Sequence, residues 1–183
     1  MSYATERMKD RFSRLPFAPT HAMLVLFAGR PQIGARGGDY SENEARLRPA
    51  CEELTALHPG HRFYVSANAY PLPAVQAARL AGLGWIGLNG LLNVPGVGSS
   101  VTIAAALTDL PLPESEAGGY CEGCALCAQN CPTGALTYQS GNRRFARELC
   151  LSHRRQKDGL PPDREGYYGC DICQDACPHA SGN

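Results

Sequence analysis

The chain has 183 residues, 44% of them hydrophobic, and its 17 basic and 17 acidic side chains give a formal net charge of zero. That length holds one ordinary domain, or a small domain plus a cofactor module. A balanced charge gives no global field for nucleic acid, and no apolar run reaches the length of a membrane span.

Tyr3, Met8, Phe12 and Leu15 share a helical face that Pro16 ends, so a short amphipathic helix is expected first. Glu6, Arg7, Lys9, Asp10 and Arg11 break up any secretory signal there, which points to a cytoplasmic protein. Residues 22–28 read as a buried strand bounded by Gly29 and Pro31, and residues 34–39 as a loop. Ser41 and Glu44 have capping-box spacing ahead of a helix whose apolar face is Leu47, Cys51, Leu54 and Leu57. Pro49 predicts a kink or a late start in that helix. Residues 61–66 alternate like a strand, residues 74–81 form a helix after Pro73, and Gly82 closes it. Residues 100–107 read as another strand, and residues 111–119, rich in Pro, Gly and acid, as a linker. The expected fold class is α/β, with a small α/β layer over 1–112 and a separate module over 113–183.

Eight of the nine cysteines lie between Cys121 and Pro178. Cys121, Cys124, Cys127 and Cys131-Pro132 spell C-x2-C-x2-C-x3-C-P, the bacterial ferredoxin spacing for [4Fe–4S] ligation, whose fourth cysteine serves the other cluster. Cys170, Cys173 and Cys177-Pro178 repeat it, with the leading cysteine moved upstream to Cys150. The pattern assigns Cys121, Cys124, Cys127 and Cys177 to one cluster. Cys131, Cys150, Cys170 and Cys173 take the other. Eight thiolates would also make two all-cysteine zinc sites, but zinc motifs pair one C-x2-C with a distant second and leave the third cysteine of the first run unused. A disulfide framework does not suit a chain kept in a reducing compartment.

Gly82-Leu-Gly84-Trp85-Ile-Gly87 spells G-x-G-x-x-G, yet it follows a helix, and Asn89, Asn93, Pro95 and Gly96 preclude a long helix after it. A dinucleotide site is therefore not expected. The glycines instead allow close backbone approach to a flat cofactor or a cluster. Cys51, on an apolar helical face, reads as a small buried hydrophobe. The five histidines have no metal-ligand spacing. Residues 143–157 carry Arg143, Arg144, Arg147, Arg154, Arg155 and Lys157 against Glu148 alone. Such a run is either a solvated face offsetting anionic clusters or a phosphate-contacting patch.

At Gly82-Leu-Gly-Trp-Ile-Gly-Leu-Asn89, Leu91-Leu92, Thr108-Asp109-Leu110, Cys131-Pro-Thr-Gly-Ala-Leu136, Cys150-Leu-Ser152 and Tyr168-Gly-Cys-Asp-Ile-Cys-Gln174, the chain resembles epoxyqueuosine reductases, relatives of reductive dehalogenases. The likeness covers roughly residues 22 to 179, its specific motifs starting at Gly82. It implies a corrinoid-binding α/β domain followed by a ferredoxin-like double-cluster module. It also implies reduction of an epoxide on a tRNA nucleoside to an alkene, with cobalamin fed by two [4Fe–4S] clusters. Under that resemblance Gly84, Trp85, Gly87 and Asn89 are candidates for cofactor binding, and Arg143, Arg144, Arg154 and Arg155 for tRNA. An external donor of flavodoxin or ferredoxin type would supply the electrons.

The chain departs from the family in four places. Only 81 residues precede Gly82, so part of the corrinoid-binding wall is expected to be missing. Counting back from Gly82 puts the family's proton-donating acid at Asn68, and an amide cannot act as a general acid. Tyr64, Tyr70 and His61 are the substitutes nearby. Leu88 replaces a usual polar residue, and Ser41 stands where a histidine is common. Two functions follow: a corrinoid-dependent reductase, or a ferredoxin-like carrier without a corrinoid or catalysis of its own.

Overall fold

The computed structural model describes residues 10–31, 33–34, 37–163 and 166–180. Of the expected first helix, residues 10–12 are helical, while Tyr3 and Met8 lie outside the described residues. The elements are β1 (His21–Ala28), β2 (Ile33–Gly34), β3 (Gly37–Gly38), α1 (Ser41–Leu57), β4 (Phe63–Ser66), α2 (Ala74–Leu80), β5 (Trp85–Ile86), β6 (Leu92–Asn93) and β7 (Val101–Thr108). They continue with α3 (Leu126–Gln129), β8 (Leu136–Gln139), β9 (Asn142–Phe145), α4 (Leu151–Lys157) and α5 (Ile172–Asp175). A mixed α/β chain with small antiparallel sheets results. No helix among the described residues is long and apolar enough to cross a membrane.

Contacts divide the chain into two interleaved units: residues 1–27, 40–82 and 102–117, and residues 28–39, 83–101 and 118–183. The division expected from sequence is contiguous. The structure instead groups the glycine-rich loop with the cysteines.

In the first unit β7 is the middle strand of a three-stranded sheet, ordered β1-β7-β4. β4 pairs antiparallel with it from Phe63↔Thr108 to Ser66↔Ala105. On the other edge the Thr20 N–H donates to the Thr108 carbonyl at 3.0 Å. Ala104, Ala105 and Ala106 are almost wholly buried. The small side chains of Ala104 and Ala106 let Leu47 and Cys51 of α1 come down onto the sheet beside Phe27, Met23, Val25, Phe63 and Val65. Cys51 is thus the small hydrophobe expected, and burial raises its thiol pKa.

Two local expectations change. The residue capping α1 is Tyr40, without a side-chain cap bond, and Ser41 already lies inside the helix, so the capping box does not form. The helix also runs through Pro49 without starting late. Its packing onto the sheet outweighs a missing N–H, which is how tertiary context overrides propensity. Gly82 ends α2 as expected, at φ +73, where a Cβ would lie 2.6 Å from the Glu116 carbonyl oxygen.

Candidate metal centre

The second unit has the thiols themselves at its core. Leu88, Cys127 and Leu136 are buried together, and Cys121, Cys131, Cys173, Ala125, Ala128 and Tyr138 pack against them. Each half of the doubled motif makes the same local structure. A single helical turn carries the middle cysteine, Cys127 in α3 and Cys173 in α5, and the chain then turns through Cys131-Pro132 or Cys177-Pro178. The Cys131 N–H bonds the Ala128 carbonyl at 3.2 Å, and the Cys177 N–H bonds that of Gln174 at 3.1 Å.

The thiols are also one another's electrostatic neighbours. Burial raises the Cys127 thiol, and the charges that raise it further are Cys124, Cys177 and Cys121. Cys173 is pushed up to about 12, by burial first and then by Cys170, Cys127, Cys150 and Cys131. Burial raises Cys170 too, with Cys150 among its charged neighbours. A single cavity is lined by Cys131, Cys150, Cys170 and Cys173, with Pro132, Leu136, Leu151 and Ile172 as its apolar walls. Cys131 is the exception in pKa. Burial pushes it up, but the backbone N–H groups of Leu136, Thr133 and Ala135 and the Thr133 hydroxyl bring it below its ordinary value. The Thr133 hydroxyl lies 3.8 Å from Cys131 Sγ.

Buried thiolates that repel one another need cationic compensation, which a metal centre supplies. Among the described residues, no three His, Cys, Asp or Glu side chains converge closely enough to hold a lone metal ion.

The glycine-rich loop folds as a hairpin, not as a nucleotide-binding turn. β5 and β6 pair antiparallel through Trp85↔Asn93 and Ile86↔Leu92. A Cβ on Gly84 would collide with the Asn93 carbonyl, and one on Gly87 would lie 2.6 Å from Asn89 Oδ1. These two glycines therefore serve the hairpin's own close packing. The hairpin then grips the cluster loop. The Cys121 N–H donates to the Ile86 carbonyl at 2.8 Å, and Asn89 Nδ2 donates to the Cys173 carbonyl at 3.3 Å. Trp85 meets His179 edge to face at 5.3 Å, and both line an open cleft with Tyr120, Cys121 and Cys124.

The basic stretch does not act as one patch. Arg143 Nε donates to the Leu88 carbonyl at 2.5 Å, tying β9 to the hairpin loop. The Arg155 side chain is only 11% exposed and is turned inward, donating to the Gly169 carbonyl and, at 2.8 Å, to Asp163. Arg144 is exposed, and Arg154, 4.0 Å from Asp158, is partly so. Asn68, in the first unit, is exposed and accepts the Tyr70 N–H at 3.1 Å. Tyr64, Tyr70, Glu44 and Glu52 line the same open groove, whereas His61 turns to Asp109 at 3.3 Å.

Residues 120–180 match the family model described as a 4Fe-4S double cluster binding domain. The epoxyqueuosine reductase of Lactococcus garvieae is 32% identical over 81% of this chain and 44% of its own length. The chain is a relative of the epoxyqueuosine reductases. The solved structure of the Streptococcus thermophilus enzyme superposes with a TM-score of 0.60 at 26% identity, covering 93% of this chain and 47% of that one. An epoxyqueuosine reductase solved with an epoxyqueuosine-modified stem loop of tyrosine tRNA has the same fold, with a TM-score of 0.64 at 24% identity over 87% of this chain and 48% of its own. The chain spans less than half the length of these relatives.

Sequence reasoning passed over Asn93. It is 1% exposed and its Oδ1 faces Cys177 Sγ at 3.8 Å. The signal was a lone amide inside the apolar run Leu91-Leu92-Asn93-Val94.

Proposed function

We propose that this chain is an iron–sulfur reductase of the epoxyqueuosine type, passing single electrons through two [4Fe–4S] clusters to a corrinoid that reduces an epoxide on tRNA. The observation that carries the reading is the cavity lined by Cys131, Cys150, Cys170 and Cys173, with Cys121, Cys124 and Cys177 as the charged neighbours of Cys127, which supports two sets of four with the fourth thiol crossed. The chain's residues supply ligation, a dry apolar surround and orientation, while the cofactors supply the electron chemistry. A flat acceptor would lie in the cleft of Trp85 and Tyr120, beside Cys121 and Cys124. Gly84 and Gly87 would act there only through the hairpin they allow. The electrons would come from an external flavodoxin or ferredoxin type of carrier in the cytoplasm. The tRNA would meet Arg144 and Arg154, with Arg155 serving the fold instead.

At the proton-donating step Asn68 can polarise an oxygen but cannot transfer a proton near neutral pH. Tyr64, Tyr70 and Glu52 share its groove. Asn68→Asp is expected to raise single-turnover reduction of an epoxyqueuosine substrate by about 10²-fold or more, within the usual contribution of a positioned acid.

The second reading, an electron carrier without a corrinoid, is favoured by the amide at Asn68. Anaerobic reconstitution followed by iron, sulfide and zinc analysis tests the clusters, and zinc without acid-labile sulfide would overturn them. Gel filtration with added cobalamin separates the two readings: co-elution is expected of the reductase, and loss of the corrinoid leaves the carrier.

A further inference from the structure

Asn93 is a fully buried amide in contact with a cysteine of the proposed centre. It sits on β6, where its backbone closes against Gly84 and its side chain fills the space left by the missing Cβ of Gly87. Its Oδ1 accepts from the Cys177 thiol at 3.8 Å, and its Nδ2 donates to the Leu91 carbonyl at 3.4 Å, a long and weak bond. A thiol can donate to that oxygen. A thiolate bound to iron can only accept, so a carbonyl oxygen aimed at it would repel. A half-turn of the amide exchanges Oδ1 and Nδ2 without changing the shape of the side chain. It turns Oδ1 toward the Leu91 carbonyl, 3.4 Å from the present Nδ2, and in exchange gains a hydrogen bond to a charged sulfur, roughly twice as strong as a neutral one.

We propose that Asn93 donates this hydrogen bond to the Cys177 thiolate and so raises the reduction potential of the one cluster that Cys177 ligates. The proposal rests on the cluster reading above. Hydrogen bonds to ligating sulfur stabilise the reduced, more negative state, which is how such bonds set cluster potentials. Asn93 is a positioning and tuning residue. Buried against a side of the loop that solvent does not reach, its donor faces no competition from water.

The test is spectroelectrochemistry of the reconstituted full chain, following each cluster by electron paramagnetic resonance. Asn93→Leu removes both polar atoms, and Asn93→Asp keeps the shape while replacing the donor by an acceptor. Both are expected to lower the reduced-to-oxidised ratio of one cluster about tenfold at a fixed potential, a shift of about 59 mV for one electron, and to leave the other cluster unmoved. Loss of that one cluster with the other retained also supports the proposal. Unchanged potentials in either variant, equal shifts of both clusters, or loss of both together would overturn it. Iron and sulfide content of the natural protein is measured first. If that fails, the cluster reading falls. Correct content with unmoved potentials sinks this proposal alone.

Discussion

The two units differ in what their cores are made of. In the first, Phe27, Leu47, Ala104 and Ala106 are packed carbon, and Cys51 behaves as one more apolar side chain. In the second, the buried cluster of Leu88, Cys127 and Leu136 is ringed by further thiols. Carbon cores gain stability as water leaves, whereas thiols raised in pKa by burial and by one another gain it only when a metal takes their protons. One unit carries its own folding free energy, and the other has placed much of it in its ligands.

The largest expected effect breaks that comparison directly. Withholding iron and sulfide should collapse hydrogen-exchange protection in α3 and α5 while β4 and β7 keep theirs. Equal loss in both units would show that the first also depends on the centre. The next sharpens it inside the second unit. Cys173→Ala and Cys177→Ala should each remove a different cluster signal, although the two residues lie one turn apart. Loss of the same signal would undo the crossing.

Arg155→Met tests how the second unit is held before the metal arrives. It removes hydrogen bonds to the Gly169 carbonyl and Asp163 just ahead of Cys170. The cost is expected at about 1.5–3 kcal/mol in thermal unfolding, with the signal of the Cys150-linked cluster weakened first.

The smallest effect belongs to the first unit. Asp109 accepts from the Arg62 N–H and from Arg62 Nε, which hold its carboxyl down at about 2. A depressed acid stabilises the fold above its unfolded value, and that contribution goes as pH falls from about 4 toward 2. Asp109→Asn should flatten the stability curve in that window by lowering stability at neutral pH while leaving the acid end little changed. A curve parallel to the natural one would show that Arg62 does not discriminate the folded state.

Much of this was legible because it is written at short range. Apolar runs mark β1, β4 and β7, Gly82 marks the end of α2, and the cysteine spacing marks both halves of the centre. The rest depends on residues far apart. β5 and β6 are two residues each, too short to show a period, and only the closed hairpin explains Gly84 and Gly87. Arg155 sits in a run of basic residues and looks like surface, yet a carbonyl fourteen positions on turns it inward. The Ser41 spacing was a valid signal that lost to a helix starting one residue earlier. The interleaved units could not be read from a boundary-like linker, because composition marks where the chain bends and not which parts it returns to.

The crossed thiols also set an order in time. Cys121, Cys124 and Cys127 leave the ribosome together, next to a hairpin already made, yet their fourth partner in the proposed centre is Cys177. Until that residue emerges, the three-thiol loop is an incomplete chelate, open to whichever soft metal reaches it first. Asn93 waits for the same late arrival. Under that proposed pairing, correct loading would be a matter for the completed chain.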